Sequence, residues 1–162
     1  MPDRGRAPLL SLRPAQAADE DFLFELYRDS QANDFALLPL SAAQRDFLVR
    51  MQFQAREAGY HTTFPEAADR IILGGGERLG RLLVASSGRK IRIVDLAVLS
   101  TERGAGAGSF AIGEVLSEAA VSHKSVRLSV LKSNSRAANL YRRFGFRDTS
   151  ENQVYVEMEW AN

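Results

Sequence analysis

The chain has 162 residues, 45% of them apolar, which suffices for one sizeable core at the usual ~100–200 residues per domain and predicts a single folded unit. Its 21 Lys and Arg against 20 Asp and Glu leave a net charge of +1, too balanced for a small domain that neutralises a phosphate backbone, so nucleic acid is not an expected partner. Cysteine is absent and only His61 and His123 supply imidazole, which excludes disulfide frameworks, a cysteine nucleophile and multi-histidine metal centres, so no metal is expected. No segment reaches the ~18 apolar residues of a membrane span, and the first residues lack the ~7–15 apolar residues of a signal sequence. The sequence therefore predicts a soluble, cytoplasmic protein with no membrane partner.

Residues 1–8 read as a short mobile tail, and the folded domain is expected to span residues 9–162. Leu10 to Pro14 alternates like a strand, and Asp19 stands as an N-cap before Phe22, Leu23, Leu26 and Tyr27 at helical spacing. Ser41 and Gln44 form a capping box for a second helix, with Phe47, Leu48, Met51 and Ala55 as its apolar face and Gly59 as its end. His61 then falls in a loop. From residue 70 the period changes to two. Ile71 to Leu73, Leu79 to Ala85 and Ile91 to Leu99 predict three antiparallel strands joined by turns at Gly74–Glu77 and Ser87–Arg89. A glycine-rich stretch leads into a helix carrying Phe110, Ile112, Val115, Leu116 and Ala119, followed by a strand at Val126 to Val130. Ser135 to Phe144 is a short helix closed by Gly145, and Val154 to Trp160 a last strand. The sum is an α+β domain around one mixed sheet.

Arg103-Gly104-Ala105-Gly106-Ala107-Gly108 carries the first chemical signal. Glycines between a strand and a helix let backbone approach an anion, while unpaired N–H groups and the positive end of the helix dipole point at it. The loop lacks the Gly-Lys-Ser/Thr ending of a P-loop. Residue 109 is serine where a dinucleotide fingerprint needs glycine, and the stretch about 20 positions on holds no acid.

The same segment resembles the Arg/Gln-x-x-Gly-x-Gly/Ala pyrophosphate loop of the GNAT superfamily of N-acetyltransferases. Asn134 to Phe146, with Asn139, Leu140-Tyr141 and Gly145-Phe146, is similar to that superfamily's second signature, and the element order extends the likeness from about Leu9 to Trp160. The resemblance implies a GNAT-type single domain, with a central mixed, mostly antiparallel sheet of six to seven strands flanked by about four helices. It implies acetyl-CoA as acyl donor, a small-molecule or peptide or protein amine as acceptor, and is compatible with a homodimer. The diphosphate would lie on Arg103, Gly104, Ala105, Gly106, Ala107, Gly108 and Ser109, the pantetheine arm along Leu96, Ala97 and Val98, with Asn134 and Asn139 as further cofactor contacts. The basic residues Lys124, Arg127, Lys132, Arg136, Arg142, Arg143 and Arg147 would supply a positive rim.

Tyr141 is the expected proton or hydrogen-bond donor to the departing thiolate, and also a cofactor contact. The glutamate that many members carry on the preceding strand is replaced here by Leu128-Ser129-Val130, so Asp95 is the expected base, acting through water, with His61 the alternative. The resemblance also implies an acceptor cleft built from the first two helices and the following loop, here including Tyr27, Phe35, Phe53, Tyr60, His61 and Phe64. Asp19, Glu20, Asp21, Glu25, Asp29 and Asp34 against Arg28 alone favour a cationic amine there, although acids in a first helical turn are also ordinary caps. The missing glutamate leaves a second function open, a non-catalytic acyl-CoA-binding regulatory module; retention of Tyr141 favours the enzyme.

Overall fold

The computed structural model describes residues 9–32 and 36–162, so the tail assigned to residues 1–8, together with Asp34 and Phe35, lies outside the described residues. The chain runs β1 (Leu10–Pro14), α1 (Glu20–Gln31), α2 (Ala42–Thr63), β2 (Ala68–Gly74), β3 (Glu77–Ser87), β4 (Lys90–Val98), α3 (Ala107–Ser122), β5 (Ser125–Leu131), α4 (Ser135–Arg143), β6 (Arg147–Glu151) and β7 (Tyr155–Trp160). The strands form one sheet in the order β1-β2-β3-β4-β5-β7-β6, antiparallel except for β4 beside β5. This mixed, mostly antiparallel sheet of seven strands with four helices falls within the six to seven strands and about four helices that the resemblance implies.

The parallel pair places the site. β4 and β5 share only three register pairs, Lys90 with Ser125 to Arg92 with Arg127, and the ladder stops there. Against β3, the register of β4 slips between Leu83 opposite Asp95 and Val84 opposite Ile93, which leaves Val94 as an extra residue. Such a bulge adds local twist and bends the strand. From Ile93 onward β4 therefore diverges from β5, and the sheet opens into a wedge.

Strand alternation gives the two faces of the sheet different contents. Ile72, Leu82, Val84, Ile91, Ile93, Val126 and Leu128 point to α3, which meets them with Ala107, Ala111, Ile112, Val115 and Ala119. The small alanines bring the helix close, and Ile112 and Val115 fill the space between. On the other face α1 and α2 build a second cluster, Phe24, Tyr27, Val49 and Phe53, with Phe24 and Phe53 edge to face at 5.5 Å.

Several local expectations are corrected. α2 runs through Gly59 to Thr63, because one interior glycine costs a helix only about 1 kcal/mol, less than its tertiary packing returns. Its buried stripe holds Val49 and Phe53, whereas Phe47 and Met51 are 62% and 51% exposed. Two stripes of period 3.6 compete along this helix, and the one continuing through Arg56, Glu57 and Tyr60 faces the sheet. Asp19 caps nothing in α1; its carboxylate is buried, accepts from Arg13 at 2.7 and 2.8 Å and from the Gln16 N–H at 2.8 Å, and pairs with Arg78. β6 was not anticipated, since Arg147-Asp148-Thr149-Ser150-Glu151 is exposed throughout and shows no apolar alternation.

Candidate functional site

After β4 a short turn at Ser100–Glu102 is tied to α1, because the Asp29 carboxylate accepts from both the N–H and the hydroxyl of Ser100 at 2.8 and 2.7 Å. Gly104 and Gly106 follow with φ of +83° and +88°, in the left-handed region that glycine occupies without strain. A Cβ at either would meet no atom within 4 Å, so the requirement is one of backbone conformation. The first described helical bond of α3 runs from the Phe110 N–H to the Gly106 carbonyl at 2.9 Å. The amides of Ala107, Gly108 and Ser109 thus have no partner from within the helix and turn, with the positive end of its dipole, toward the wedge.

The wedge is a cleft of about 890 Å³. Its floor is Asp95, Leu96, Ala97 and Val98, whose backbone pairs with β3 on one side and has no ladder with β5 on the other. One end is the glycine loop and the start of α3. The opposite wall is α4, with Asn134, Ala137, Leu140 and Tyr141, and α1 adds Leu26 and Ser30. Asn134 caps α4, accepting from the Ala137 N–H at 3.2 Å. Ala105 and Asn139 do not line the cleft; Asn139 is exposed on α4 and its amide oxygen accepts from Arg142 at 3.2 Å.

The basic rim is smaller than the sequence suggested. Arg103, Arg136 and Arg143 line the cleft. Arg127 pairs with Glu159, Lys132 with Glu151, Arg142 with Asp148, and Lys124 donates to the Ser86 hydroxyl, and none of the four lines the cleft. The acidic stretch is likewise reduced, because Asp19 is held by Arg13 and Arg78 and Asp29 by Ser100.

Tyr141 and Asp95, distant in sequence, meet in this cleft. The Tyr141 ring is buried edge to face on Phe146 at 5.5 Å, and burial, reinforced by the charge of Asp95, pushes its phenol up to about 12. Burial also raises Asp95 above the usual carboxylate range, against the pull of Arg56 and Arg81. Among the described residues the buried Asp95 Oδ2 has no hydrogen-bond partner; Arg56 Nη2 stands 3.7 Å away and Arg81 Nη1 3.8 Å. Arg81, 3% exposed, donates to Asp69 at 2.8 and 2.9 Å and to both Glu57 oxygens. Arg56 lies over the rings of Tyr27 and Tyr60, at 4.4 and 5.4 Å from their centroids.

Sequence reasoning missed Arg56, Glu57, Asp69 and Arg81. One signal was available: Arg81 interrupts the apolar run Leu79 to Ala85, and an arginine inside a buried strand demands carboxylates nearby. The residues expected around the acceptor are dispersed. Tyr27 and Phe53 belong to the helical core, Tyr60 stands beside the charge cluster, Phe64 caps α2, and His61 is exposed in the last turn of α2, outside the cleft. Leu26 and Ser30, one turn apart on α1, line the cleft where Tyr27 turns to α2. Among the described residues, no three His, Asp or Glu are grouped to hold a metal ion, and no helix is long and apolar enough to cross a membrane.

Residues 21–146 match the acetyltransferase (GNAT) family, and the chain belongs to it. The protein is thus an acetyltransferase by family, and the fold of solved members agrees. The PaiA N-acetyltransferase of Thermoplasma acidophilum, solved with coenzyme A, is similar over 95% of this chain and 99% of its own at 16% identity, with a TM-score of 0.73. The ribosomal-protein-S18-alanine N-acetyltransferase of Escherichia coli is similar over 94% of each chain at 12% identity and a TM-score of 0.68. Naa50 of Arabidopsis thaliana, solved with the bisubstrate analogue CoA-Ac-MVNAL, gives 18% identity, 94% and 99% coverage and a TM-score of 0.62. No curated protein matches the sequence.

Proposed function

We propose that the protein transfers an acetyl group from acetyl-CoA to a primary amine by direct attack of the amine on the thioester. The observation that carries this reading is the convergence of three features in one cleft: amides without helical partners at the glycine loop, the open edge of β4, and Tyr141 facing Asp95 across the wedge. Residues and donor fit. Open space at Gly104 and Gly106 admits a diphosphate against the amides of Ala107 to Ser109, Arg103, Arg136 and Arg143 supply charge, and the free edge of β4 at Leu96 to Val98 can pair with pantetheine amides like an added strand.

Tyr141 then acts on the leaving sulfur. A phenol at about 12 facing a thiol near ~8.5 makes full proton transfer uphill by several kcal/mol, so Tyr141 serves as a hydrogen-bond donor that strengthens as sulfur charge grows. A β4 backbone N–H polarises the carbonyl. Asp95, directly or through one water, takes the proton of the amine, and burial suits it to the task by raising its proton affinity. A module that only binds acyl-CoA has no use for a buried carboxylate at the cleft floor. Two of the structural neighbours are described with a ribosomal-protein alanine and a peptide-bearing analogue, so peptide N-termini join small amines as candidate acceptors. The absence of cysteine suits a cytoplasmic setting.

The test is release of free thiol from acetyl-CoA across a panel of small diamines, amino acid amides and N-terminal peptides. With any accepted amine, Asp95→Asn depresses the rate most at low pH, where the amine is protonated, and the deficit shrinks as pH approaches the amine's own pKa. His61→Gln leaves the profile unchanged. An Asp95→Asn profile that overlays the wild type removes Asp95 as base.

A further inference from the structure

The groups facing Asp95 come from four elements: Arg56, Glu57 and Tyr60 on α2, Arg81 on β3, Asp69 on β2 and Tyr141 on α4. Both phenols are pushed up to about 12 and stay neutral near pH 7. Two guanidinium groups therefore meet three carboxylates. Every hydrogen bond that Arg81 donates goes to Glu57 or Asp69, and Arg56 Nη2 is shared, 3.7 Å from Glu57 and 3.7 Å from Asp95. Glu57 thus holds one cation and competes for the other, and Asp95, which lines the cleft, is left with a buried Oδ2 that neither guanidinium group hydrogen-bonds.

We propose that Glu57 is a positioning residue whose hold on Arg81 and Arg56 keeps Asp95 one cation short, so that acceptors are taken up as ammonium ions and surrender their proton to Asp95. This rests on the reading of Asp95 as base. With Asp95 ionised the cluster carries one net negative charge, and an entering ammonium group supplies the missing positive one. The proton then moves from nitrogen to the Asp95 carboxylate; the N–H bond breaks, its electron pair stays on nitrogen, and a neutral cluster and a neutral nucleophilic amine remain. Uncharged nucleophiles such as alcohols lack the attraction, so the substrate class is a cationic primary amine.

The full-length chain labelled with carboxyl-¹³C aspartate reads the titration of Asp95 directly by NMR, the signal being assigned by its loss in Asp95→Asn. Glu57→Gln frees both guanidinium groups for Asp95 and moves its midpoint down by roughly one pH unit or more, while Arg56→Met moves it up by a similar amount and Arg56→Lys restores it. Asp69→Asn, which also unburdens Arg81, moves the midpoint the same way as Glu57→Gln and serves if that variant does not fold. A packing role would lower the melting temperature of these variants without moving the midpoints in opposite directions. Midpoints that stay put, or move together, overturn the proposal. The kinetic arm separates the two readings: if the midpoints move as stated but Asp95→Asn leaves the pH profile of acetyl transfer intact, the charge balance stands as a property of the cluster while its use by the acceptor, and Asp95 as base, both fall.

Discussion

The two faces of the sheet are held by opposite means. Under α3 every buried side chain is apolar, from Ile72 and Leu82 to Ile112 and Val126. Under α1 and α2 the small aromatic cluster gives way to a charged array beside the cleft, with Arg81 buried between the half-buried carboxylates of Glu57 and Asp69. An apolar face gains from every contact and imposes no partner, so it makes a rigid base for the glycine loop. A buried charge stabilises only while each partner is present, and removing one leaves the others stranded. The charged face is thus the costlier construction, and it is the one that borders the acidic group of the site.

The largest effect expected from breaking this contrast is Arg81→Leu. It fits an apolar strand by shape, yet it strands Glu57 and Asp69 and deprives Asp95 of a nearby cation, for a loss of about 3–5 kcal/mol of stability at neutral pH. Urea denaturation measures it. The loss shrinks as the solution is acidified and the stranded carboxylates protonate; a variant as stable as the wild type would show that the array behaves like solvated surface.

On the α3 side the corresponding disruption leaves the fold intact and removes binding. Gly106 sits at φ +88°, so Gly106→Val strains the loop and places a branched side chain where the diphosphate would lie. Wild-type protein gains about 2.7 kcal/mol from acetyl-CoA at a hundred times its dissociation constant, read as a shift in thermal melting, and the variant gains nothing. A variant that keeps the shift moves the donor site away from this loop.

A milder comparison lies at the outer edge of the charged face, where Asp19 joins β1 to the start of α1. Arg13 bonding holds its carboxyl below the usual range, with the Gln16 N–H and Arg78 adding to the effect. A depressed carboxylate pKa stabilises above the unfolded value near ~4 and loses that contribution as pH falls toward the folded value. Asp19→Asn therefore costs about 2 kcal/mol at pH 7, less than Arg81→Leu because Arg13 and Arg78 can turn to water, and the gap from wild type closes below about pH 4.

The same contrast explains what could be read from the sequence. The glycine loop, the Asn134 cap and the Leu140-Tyr141 helix are local devices whose residues sit close together in the chain, and their positions in the cleft follow from the strand and helix that carry them. Strand alternation under α3 was legible for the same reason. The charged array joins α2, β2, β3 and β4, and no spacing within any one of them announces the pairing of Arg81 with Glu57. On α2, two stripes of equal period were available, and only the sheet beneath decides that Val49 and Phe53 turn inward while Phe47 and Met51 stay out. β6 escaped because an edge strand exposed on both sides has no hydrophobic period to detect.

The smallest expected effect falls where the two faces meet. Tyr141 is packed by the apolar core through Phe146 and charged against by Asp95, so Tyr141→Phe removes one hydroxyl while keeping the ring and its edge-to-face contact. Stability and acetyl-CoA affinity stay near wild type, because the phenol meets the sulfur most strongly only as negative charge develops there. A hydrogen bond of this kind is worth about one order of magnitude in kcat, or about 1.4 kcal/mol, with KM for acetyl-CoA unchanged. Full proton transfer from Tyr141 would instead cost the variant several orders of magnitude and give the wild type an alkaline limb near the phenol's raised pKa of about 12. A ten-fold drop without that limb identifies the hydroxyl as a hydrogen-bond donor; an unchanged kcat returns Tyr141 to the core as a packing residue.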